Sequence, residues 1–359
     1  MVLDESHYCA NPSRRRSKAA IALVKLVPER GLVLALTGTP FINKPIEIAS
    51  QLQLIGRLHM LTPNKPEAAN DERAWTKNFH EEWCQDIPSL RHLHRALRQT
   101  CYIRRQRADV LGRTDTQRHV VKLSLQLDEY REAENDLIAY LTERDGTEAA
   151  ARASNAEGLA RLSHLRRLVG EAKVWAAKQW IDNFTDSNPD RSLVVFAFHK
   201  NVQLALQSHY DCPHIFGGEG DIEAEKRRFQ SGGHKLIVVS LTAGKEGHNL
   251  TRASDVLHVE LGWTPGADDQ ANSRINRIGQ TQADTFAWYL IGAGTVDEKV
   301  WAINEAKRVL FRAGAEGRGA PGTDQSTALA ILNEYQRQPT PPASHALVSN
   351  IVQLHRKEA

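Results

Sequence analysis

The chain has 359 residues, of which 41% are hydrophobic and 25% charged, an ordinary balance for a soluble globular protein of two domains. Its formal net charge is only +3, so any affinity for nucleic acid must come from local basic patches and not from bulk charge. The four cysteines are widely spaced without a CxxC pair, which argues against a zinc site and suggests reduced thiols in the cytosol. No apolar run approaches the ~20 residues of a membrane span and no signal peptide is visible, so we expect no membrane partner.

The first part of the chain predicts two buried strands, each followed by polar residues. Residues 1–3 end one strand and deliver Asp4 and Glu5 to its carboxyl end. Residues 32–36 form the other strand and lead into TGTP at residues 37–40. Ligands of parallel α/β sheets bind at this edge, so both segments are candidate site residues. The alternative is an exposed acidic segment without a site.

Helices and one further strand complete this part. A helix is predicted over residues 17–27, and residues 66–112 are helical. Residues 119–125 alternate weakly and predict a strand that closes the first domain. Residues 127–180 are helix-rich, with a polar interruption near 145–147.

Strands and helices alternate in the second part of the chain, which is typical of a parallel α/β sheet. The predicted strands are residues 192–198, 235–239, 255–259 and 285–290, and the helices between them are residues 201–209, 221–230 and 268–278. A capping box at residues 295–298 begins a helix through Leu310. Glycines after Phe311 predict a flexible linker.

The segment QANSRINRIGQ at residues 270–280 is the clearest candidate for a functional element. Read as a helix, it places Gln270, Arg274 and Arg277 on one face, and Gly279 ends it. Two guanidinium groups on one face without an acid favour an anion such as a polyphosphate. A solvated basic face is the alternative.

Four short motifs follow one another in order along the chain. They are DESH at residues 4–7, TGTP at 37–40, SLTAGKEGHNL at 240–250 and QxxxRxxRxGQ at 270–280. Together they resemble motifs II, III, V and VI of superfamily 2 helicases. The last motif looks like that of the Swi/Snf branch of DNA-translocating ATPases, and residues 44–48 (KPIEI) are similar to its annealing-helicase relatives.

The resemblance implies an α/β fold of RecA-like parallel-sheet helicase lobes with helical insertions, the first lobe incomplete. Residues 1–126 would be the C-terminal part of the first lobe with motifs II and III, and residues 127–172 a helical protrusion or hinge. Residues 173–312 would be the second lobe with motifs IV to VI, and residues 313–359 a linker and tail.

The resemblance also implies ATP and Mg²⁺ as cofactors, DNA as partner, and roles for single residues. Asp4 would hold Mg²⁺ through water, Glu5 would orient or deprotonate the attacking water, and Arg274 and Arg277 would be arginine fingers. The implied nucleotide-binding or coupling residues are His7, Thr37, Gly38, Thr39, Gly247, Asn249 and Gln270. The implied DNA-binding residues are His199, Lys200, Thr242 and Lys245, although family members often carry glycine where Lys245 stands.

A complete motor of this kind needs a P-loop, GxxxxGK followed by Ser or Thr, and the sequence contains none. We therefore expect a truncated or split DNA-translocating ATPase of DNA remodelling or repair, acting on DNA in the cytoplasm or nucleoid. Its P-loop half would come from another chain or an upstream start, and the isolated chain would be inactive. The alternative is a non-catalytic DNA-binding or regulatory remnant. An enzyme of unrelated chemistry ranks last, because no triad, metal cluster or cofactor loop is visible.

Overall fold

The computed structural model describes residues 1–41, 44–61, 72–142, 148–218, 220–242, 248–318 and 331. The chain opens with a small parallel sheet and two covering helices. These elements are β1 (Val2–Leu3), α1 (Arg15–Val24), β2 (Leu34–Ala35) and α2 (Glu47–Leu54). Val2 pairs with Leu34 and Leu3 with Ala35, so both predicted strands are confirmed, the second in a shorter form. The predicted helix over residues 17–27 is also confirmed, with its ends shifted toward the N-terminus.

A helical cluster follows, as predicted for residues 66–112. It contains α3 (Glu72–Trp83), α4 (Ile87–Thr100) and α5 (Arg107–Leu111). Asp86 caps α4, because its carboxylate accepts a hydrogen bond from Ser89 N at 2.8 Å. Leu90, Leu93 and Leu97 recur at helical spacing on α4 and are fully buried, so this helix supplies the core of the cluster.

The remaining elements form a larger α/β unit. They are β3 (Gln117–Leu123), α6 (Asp128–Thr142), α7 (Glu148–Ser187), β4 (Leu193–Ala197), α8 (Lys200–Tyr210), β5 (His214–Ile215), α9 (Ile222–Gln230), β6 (Leu236–Ser240), β7 (Asp255–His258), α10 (Pro265–Asn272), β8 (Phe286–Gly292) and α11 (Val296–Glu316). The predicted alternation of strands and helices is confirmed here.

The strands of this unit form one parallel six-stranded sheet in the order β3-β8-β7-β4-β6-β5. β4 (LVVFA) and β6 (LIVVS) are buried along their whole length, as expected for strands covered on both faces. The carboxyl ends of all six strands meet at one edge of the sheet. Candidate residues that follow β4, β6 and β7 therefore lie along that edge.

The place predicted for the strand at residues 119–125 is wrong. We expected it to close the first domain, but β3 pairs with β8 from Gln117 opposite Phe286 to Leu123 opposite Gly292. β3 lies at the sheet border, and Val120 on it remains 42% exposed. Alternation predicts a border strand correctly, but it carries no information about which sheet receives that strand.

The helix predicted over residues 268–278 ends earlier than expected. α10 stops at Asn272, and the backbone then forms tight turns, with Arg274 N donating to Ala271 O at 3.0 Å. Asn272 is held in the core by hydrogen bonds to His258 (2.8 Å) and Tyr289 (2.8 Å). Arg274 and Arg277 consequently lie in turns after the helix and not on one helical face with Gln270.

The final helix is longer than predicted. Thr295 caps α11, with its hydroxyl accepting from Asp297 N at 3.2 Å, and the helix continues past Leu310 to Glu316. Gly317 then ends it in the left-handed region at φ 71°. The predicted linker is therefore wrong at its start, because Gly314 lies within the helix and is buried. Residues 319–330 and 332–359 of the predicted tail lie outside the described residues.

Candidate active site

The acidic turn after β1 is held by hydrogen bonds within the first lobe. Asp4 and Glu5 are exposed, and Asp4 Oδ1 accepts from Glu5 N at 2.9 Å. Glu5 adopts a left-handed backbone conformation with φ 47°, which is uncommon for a residue other than glycine and often marks functional turns. The turn places both carboxylates at the carboxyl end of β1, as predicted.

His7 connects this turn to the TGTP loop. Its Nδ1 lies 2.8 Å from Thr37 Oγ1 and 3.2 Å from Glu5 Oε2, and the imidazole is buried. Thr37 Oγ1 also accepts from Thr39 N at 3.0 Å. The residues that resemble motifs II and III therefore meet, as the sequence predicts.

Arg274 follows α10 and lies within electrostatic range of the acidic turn. Its residue surface is 4% exposed, and burial together with the nearby Arg277 charge lowers the pKa of Arg274 to about 10. The negative charge of Glu5 acts in the opposite direction and raises the pKa of Arg274, as does Tyr8. The guanidinium therefore remains charged at neutral pH, within electrostatic reach of the Glu5 carboxylate.

Arg277 is half-buried and contacts the segment that resembles motif V. Its Nη1 donates to Asn249 Oδ1 at 2.5 Å, and its Nε donates to Ser273 O at 3.1 Å. Asn249 is otherwise exposed. The structure thus brings Arg277 and Asn249 together. Gly247 and Lys245 lie outside the described residues, and their predicted roles stay predictions.

A cleft of about 350 Å³ lies between the TGTP loop and the second lobe. Gly38 and Thr39 line one side, and Gln270 with Ser273 line the other. Gln270 is half-buried, and its backbone oxygen accepts from Ser273 Oγ at 2.7 Å. Asp4, Glu5, Arg274 and Arg277 do not line this cleft, so these four candidate residues lie outside it.

Ion pairs largely neutralise the charges around the cleft. Arg104 Nη1 donates to Gly38 O at 3.1 Å, and its Nη2 contacts Glu316 at 2.8 Å. Arg308 contacts Asp269 at 2.9 Å, and Glu305 bridges Arg308 and Arg118. The sequence alone did not predict the ion pairs of Arg104 and Arg308. Long-range pairing of this kind leaves no signal in local spacing.

The predicted DNA-binding residues lie at the carboxyl edge of the large sheet. His199 precedes α8, and Lys200 begins it and is exposed. Thr242 follows β6, is exposed, and lies 2.7 Å from Ser240 through its hydroxyl oxygen. Glu260, which was not predicted from the sequence, lies just beyond β7 with its Oε1 at 2.5 Å from His199 Nδ1.

Glu260 is a buried carboxylate whose charge is compensated. Burial acts to raise its pKa, but the hydrogen bond and charge of His199 outweigh it and leave the pKa of Glu260 below its usual value. Lys173 adds a second positive charge nearby. Lys173 itself is fully buried and contacts Asp297 at 2.6 Å, which ties α7 to the start of α11.

Two further buried titratable groups lie behind the cleft. Burial lowers the pKa of His258 to about 3, so its ring, which stacks on Tyr289 at 4.5 Å, is neutral. Burial raises the pKa of Asp268 to about 6, although Arg308 lies 3.9 Å from this carboxylate. Asp268 Oδ1 accepts from Gly262 N at 2.8 Å and so fixes the turn before α10.

Asp4 is compatible with a magnesium ion that also binds substrate phosphates. Mg²⁺ typically takes one or two carboxylates, several waters and phosphate oxygens, and Asp4 presents an exposed carboxylate at the strand end. The described residues contain no group of three histidine, cysteine or acidic side chains arranged to hold a metal without a substrate. No described helix is long and apolar enough to cross a membrane.

Comparison with known proteins agrees with this architecture. Residues 173–279 match the model of the helicase conserved C-terminal domain. The chain is 27% identical over 349 residues to the SWI/SNF-related matrix-associated actin-dependent regulator of chromatin subfamily A-like protein 1 of Xenopus tropicalis, covering 91% of this chain and 34% of the relative. It is 26% identical over 338 residues to the DNA annealing helicase and endonuclease ZRANB3 of Mus musculus, covering 89% of this chain and 30% of the relative.

A solved structure, the Sulfolobus solfataricus SWI2/SNF2 ATPase core domain, is 20% identical and covers 86% of this chain and 65% of its own length, with a TM-score of 0.48. The chain spans about a third of the length of the two curated relatives named above. Residues 173–279, which are similar to the helicase conserved C-terminal domain, contain strands β4 to β7 of the parallel sheet. The predicted resemblance to the Swi/Snf type of superfamily 2, and to its annealing-helicase-like branch, is confirmed by these similarities.

Proposed function

We propose that these residues form part of a DNA-dependent ATPase of the Swi/Snf type, which moves along DNA in remodelling or repair. The observation that carries the proposal is that the buried Arg274 lies within electrostatic range of Glu5 in the acidic turn. These residues lie far apart in the sequence and match motifs VI and II. Hydrolysis at a lobe interface needs such an arrangement, with a carboxylate for the attacking water and a guanidinium for the transferred phosphoryl group.

Each predicted residue has one role in this proposal. Glu5 orients or deprotonates the attacking water, and Asp4 holds Mg²⁺ through water. Arg274 and Arg277 stabilise the charge that develops on the equatorial phosphate oxygens, and Gln270, Asn249 and His7 couple the nucleotide to DNA. Magnesium, when bound with ATP, supplies positive charge to the phosphates.

DNA is the proposed partner. We propose that the chain acts where DNA lies in the cell. The relatives are named for chromatin regulation and for DNA annealing. The exposed Lys200 and Thr242 and the half-buried His199 lie along one sheet edge, where phosphates of a DNA backbone can approach. We assign the same role to Lys245.

The 359 residues alone are proposed to be inactive in ATP hydrolysis. They contain no P-loop, the element that holds the β- and γ-phosphates, so Glu5 has no positioned phosphate to act on. This feature also favours the second candidate function, a non-catalytic DNA-binding unit. The comparisons give no support to a separate chain that carries a P-loop.

ATP turnover of two polypeptides, measured with and without duplex DNA, distinguishes the motor from the non-catalytic DNA-binding unit. The 359-residue chain should show background turnover only, and DNA-stimulated turnover lost in Glu5→Gln would refute its inactivity. A polypeptide in which a P-loop segment precedes these residues should show DNA-stimulated turnover. Glu5→Gln and Arg274→Ala should abolish that turnover, whereas the conservative exposed change Lys25→Arg should not. Turnover that survives both site changes would refute the motor function.

DNA binding by the 359-residue chain is tested by fluorescence anisotropy with unrelated duplexes. Contacts to phosphates predict weak, sequence-independent binding that weakens strongly with salt. A slope of log affinity against log salt near −0.9 per phosphate contact is expected. An affinity that stays constant between low and physiological salt would contradict DNA binding through these residues.

A further inference from the structure

Glu260 joins three elements at the sheet edge through a single carboxylate. It is 3% exposed, and its Oε2 accepts from Phe198 N at 2.8 Å and from His199 N at 2.9 Å. Its Oε1 lies 2.5 Å from His199 Nδ1. Every one of these donors belongs to the connection between β4 and α8. The carboxylate therefore fixes both the backbone and the ring of His199.

Helix α7 leaves the space that this carboxylate occupies. A Cβ atom added at Gly170 would lie 2.4 Å from Glu260 Oε1 and 3.3 Å from Val202. Lys173 on the same helix compensates the charge of Glu260. Burial lowers the pKa of Arg166 on this helix, and the negative charges of Asp297 and Glu260 oppose that lowering. An isolated buried carboxylate would be strongly unfavourable. Helix α7 offsets this cost for Glu260, because Gly170 leaves room for the carboxylate and Lys173 and Arg166 supply positive charge.

The arrangement determines which nitrogen of His199 is available. With Nδ1 bound to Glu260, the imidazole can interact elsewhere only through Nε2, and its side chain remains 19% exposed. Among the described residues, none forms a hydrogen bond with Nε2, and this atom is not fully buried. Nε2 therefore faces solvent beside the exposed Lys200 at the start of α8.

We propose that Glu260 is a positioning residue that holds the His199 imidazole so that Nε2 binds a phosphate oxygen of the DNA backbone. The inference rests on the proposed DNA contact and adds the group that orients it. Because Glu260 occupies Nδ1, a phosphate oxygen can accept a hydrogen bond from this ring only at Nε2. Glu260 itself, being buried, does not touch DNA.

Double-mutant analysis of duplex binding tests this coupling in the 359-residue chain. Glu260→Gln and His199→Gln should each weaken binding by about tenfold, the order expected for a charge-assisted hydrogen bond. The double variant should be no weaker than either single variant, and each should lower the salt slope by about 0.9. Asp255→Asn removes another buried, ion-paired carboxylate at the opposite end of β7 and should leave binding unchanged.

A ring-nitrogen NMR spectrum of His199 gives a readout that a purely structural role would not change. The wild type should show a protonated Nδ1 with a strongly downfield proton, and DNA should shift Nε2. Glu260→Gln and Gly170→Ala should lose the downfield proton, and circular dichroism identifies any variant that does not fold. Additive losses, or binding unaffected by His199→Gln while the wild type binds DNA, would overturn the positioning role alone. A wild type that does not bind DNA would overturn the proposed function and this role together.

Discussion

Arg274 is a buried cation with little access to water. Its burial disfavours the charged form, yet a pKa of about 10 keeps the guanidinium protonated at neutral pH. Glu5 supplies only part of the compensation, because its own side chain is half exposed to water. An anion that enters beside Arg274 would therefore gain more than it would at a hydrated surface arginine.

Arg277 is expected to be needed for turnover more than for DNA binding. In the polypeptide that includes a P-loop, Arg277→Ala should lower turnover by about 10³-fold or more, because the transferred phosphoryl group loses a donor. Arg277→Lys should restore little, since an ammonium lacks the planar fork. Steady-state ATPase rates and duplex affinity, measured on the same preparations, give the comparison.

Asn249→Ala is the matched control, because it removes the 2.5 Å partner of Arg277 and leaves the guanidinium in place. It should lower turnover far less than Arg277→Ala. Equal losses in the two variants would show that Arg277 acts by holding the loop. An unfolded Arg277→Ala protein would assign the residue a structural role.

Asp268 should make the folded protein less stable as the pH rises. Its pKa is about 6 in the fold against 3.8 as the ordinary value, so the folded state holds a proton that the unfolded chain releases. Stability is consequently lost between pH 3.8 and 6 and stays reduced above this window. Asp268→Asn should match the wild type at pH 4 and exceed its stability by about 1–3 kcal/mol at pH 7.5 in urea unfolding.

Asp297→Asn provides the opposite case. It removes the 2.6 Å partner of the buried Lys173 and should lower stability at pH 7.5 by about 3–5 kcal/mol. If the difference between Asp268→Asn and the wild type were the same at every pH, Asp268 would not titrate during folding.

The strands themselves could be predicted from the sequence, but the neighbours with which they pair in the sheet could not. β4 and β6 are continuous apolar runs bounded by polar residues, a pattern that specifies a central parallel strand. β3 gave only a weak alternation, and its pairing with β8 depends on contacts between residues about 170 positions apart along the chain.

The candidate site shows the same division. The placement of Asp4, Glu5 and His7 near Thr37 followed from the strand ends. The end of α10 at Asn272 did not, because the side chain of Asn272 is hydrogen-bonded to His258 on β7 and Tyr289 on β8, which are distant in the sequence. Glu260 was missed for a related reason: its partners become visible only when β4 and β7 are side by side.

Gly314 is expected to be required for the contact between α11 and the helical cluster. A Cβ there would lie 2.8 Å from Phe41 Cζ and 3.6 Å from Leu90. Gly314→Ala should therefore destabilise this contact by about 1–3 kcal/mol through overpacking, even though alanine favours a helix by about 1 kcal/mol. Thermal unfolding measures the change.

Ala302→Gly on the exposed face of α11 isolates the propensity contribution and should lower stability by up to about 1 kcal/mol. A Gly314→Ala protein that is more stable than the wild type would show that Phe41 adjusts at little cost.

At the scale of the whole molecule, α11 joins the two parts of the chain. It begins at the carboxyl end of β8 and carries Leu310, Ala313 and Ala315 into the core formed by α4. Tyr102 donates to Ala315 O at 3.3 Å, and Arg104 contacts Glu316 at 2.8 Å beside the TGTP loop. The end of this helix therefore contacts both the helical cluster and the residues that line the cleft.

The two sheets should differ greatly in local stability. β1 and β2 pair over only two residues each, and Val2, Leu34 and Leu36 are 60%, 43% and 47% exposed. β4 pairs with strands on both sides and is buried throughout. Isolated two-stranded pairs are marginally stable in water, so their amides open locally without global unfolding.

Hydrogen exchange should be faster by about two orders of magnitude or more at Leu34 and Leu36 than at Val194 and Val195. The measurement is made at two protein concentrations, because self-association through the exposed leucines would protect the small sheet only at the higher one. Equal protection of the two sheets at both concentrations would mean that β1 and β2 open only with the whole molecule. That result would contradict a lower local stability of the small sheet.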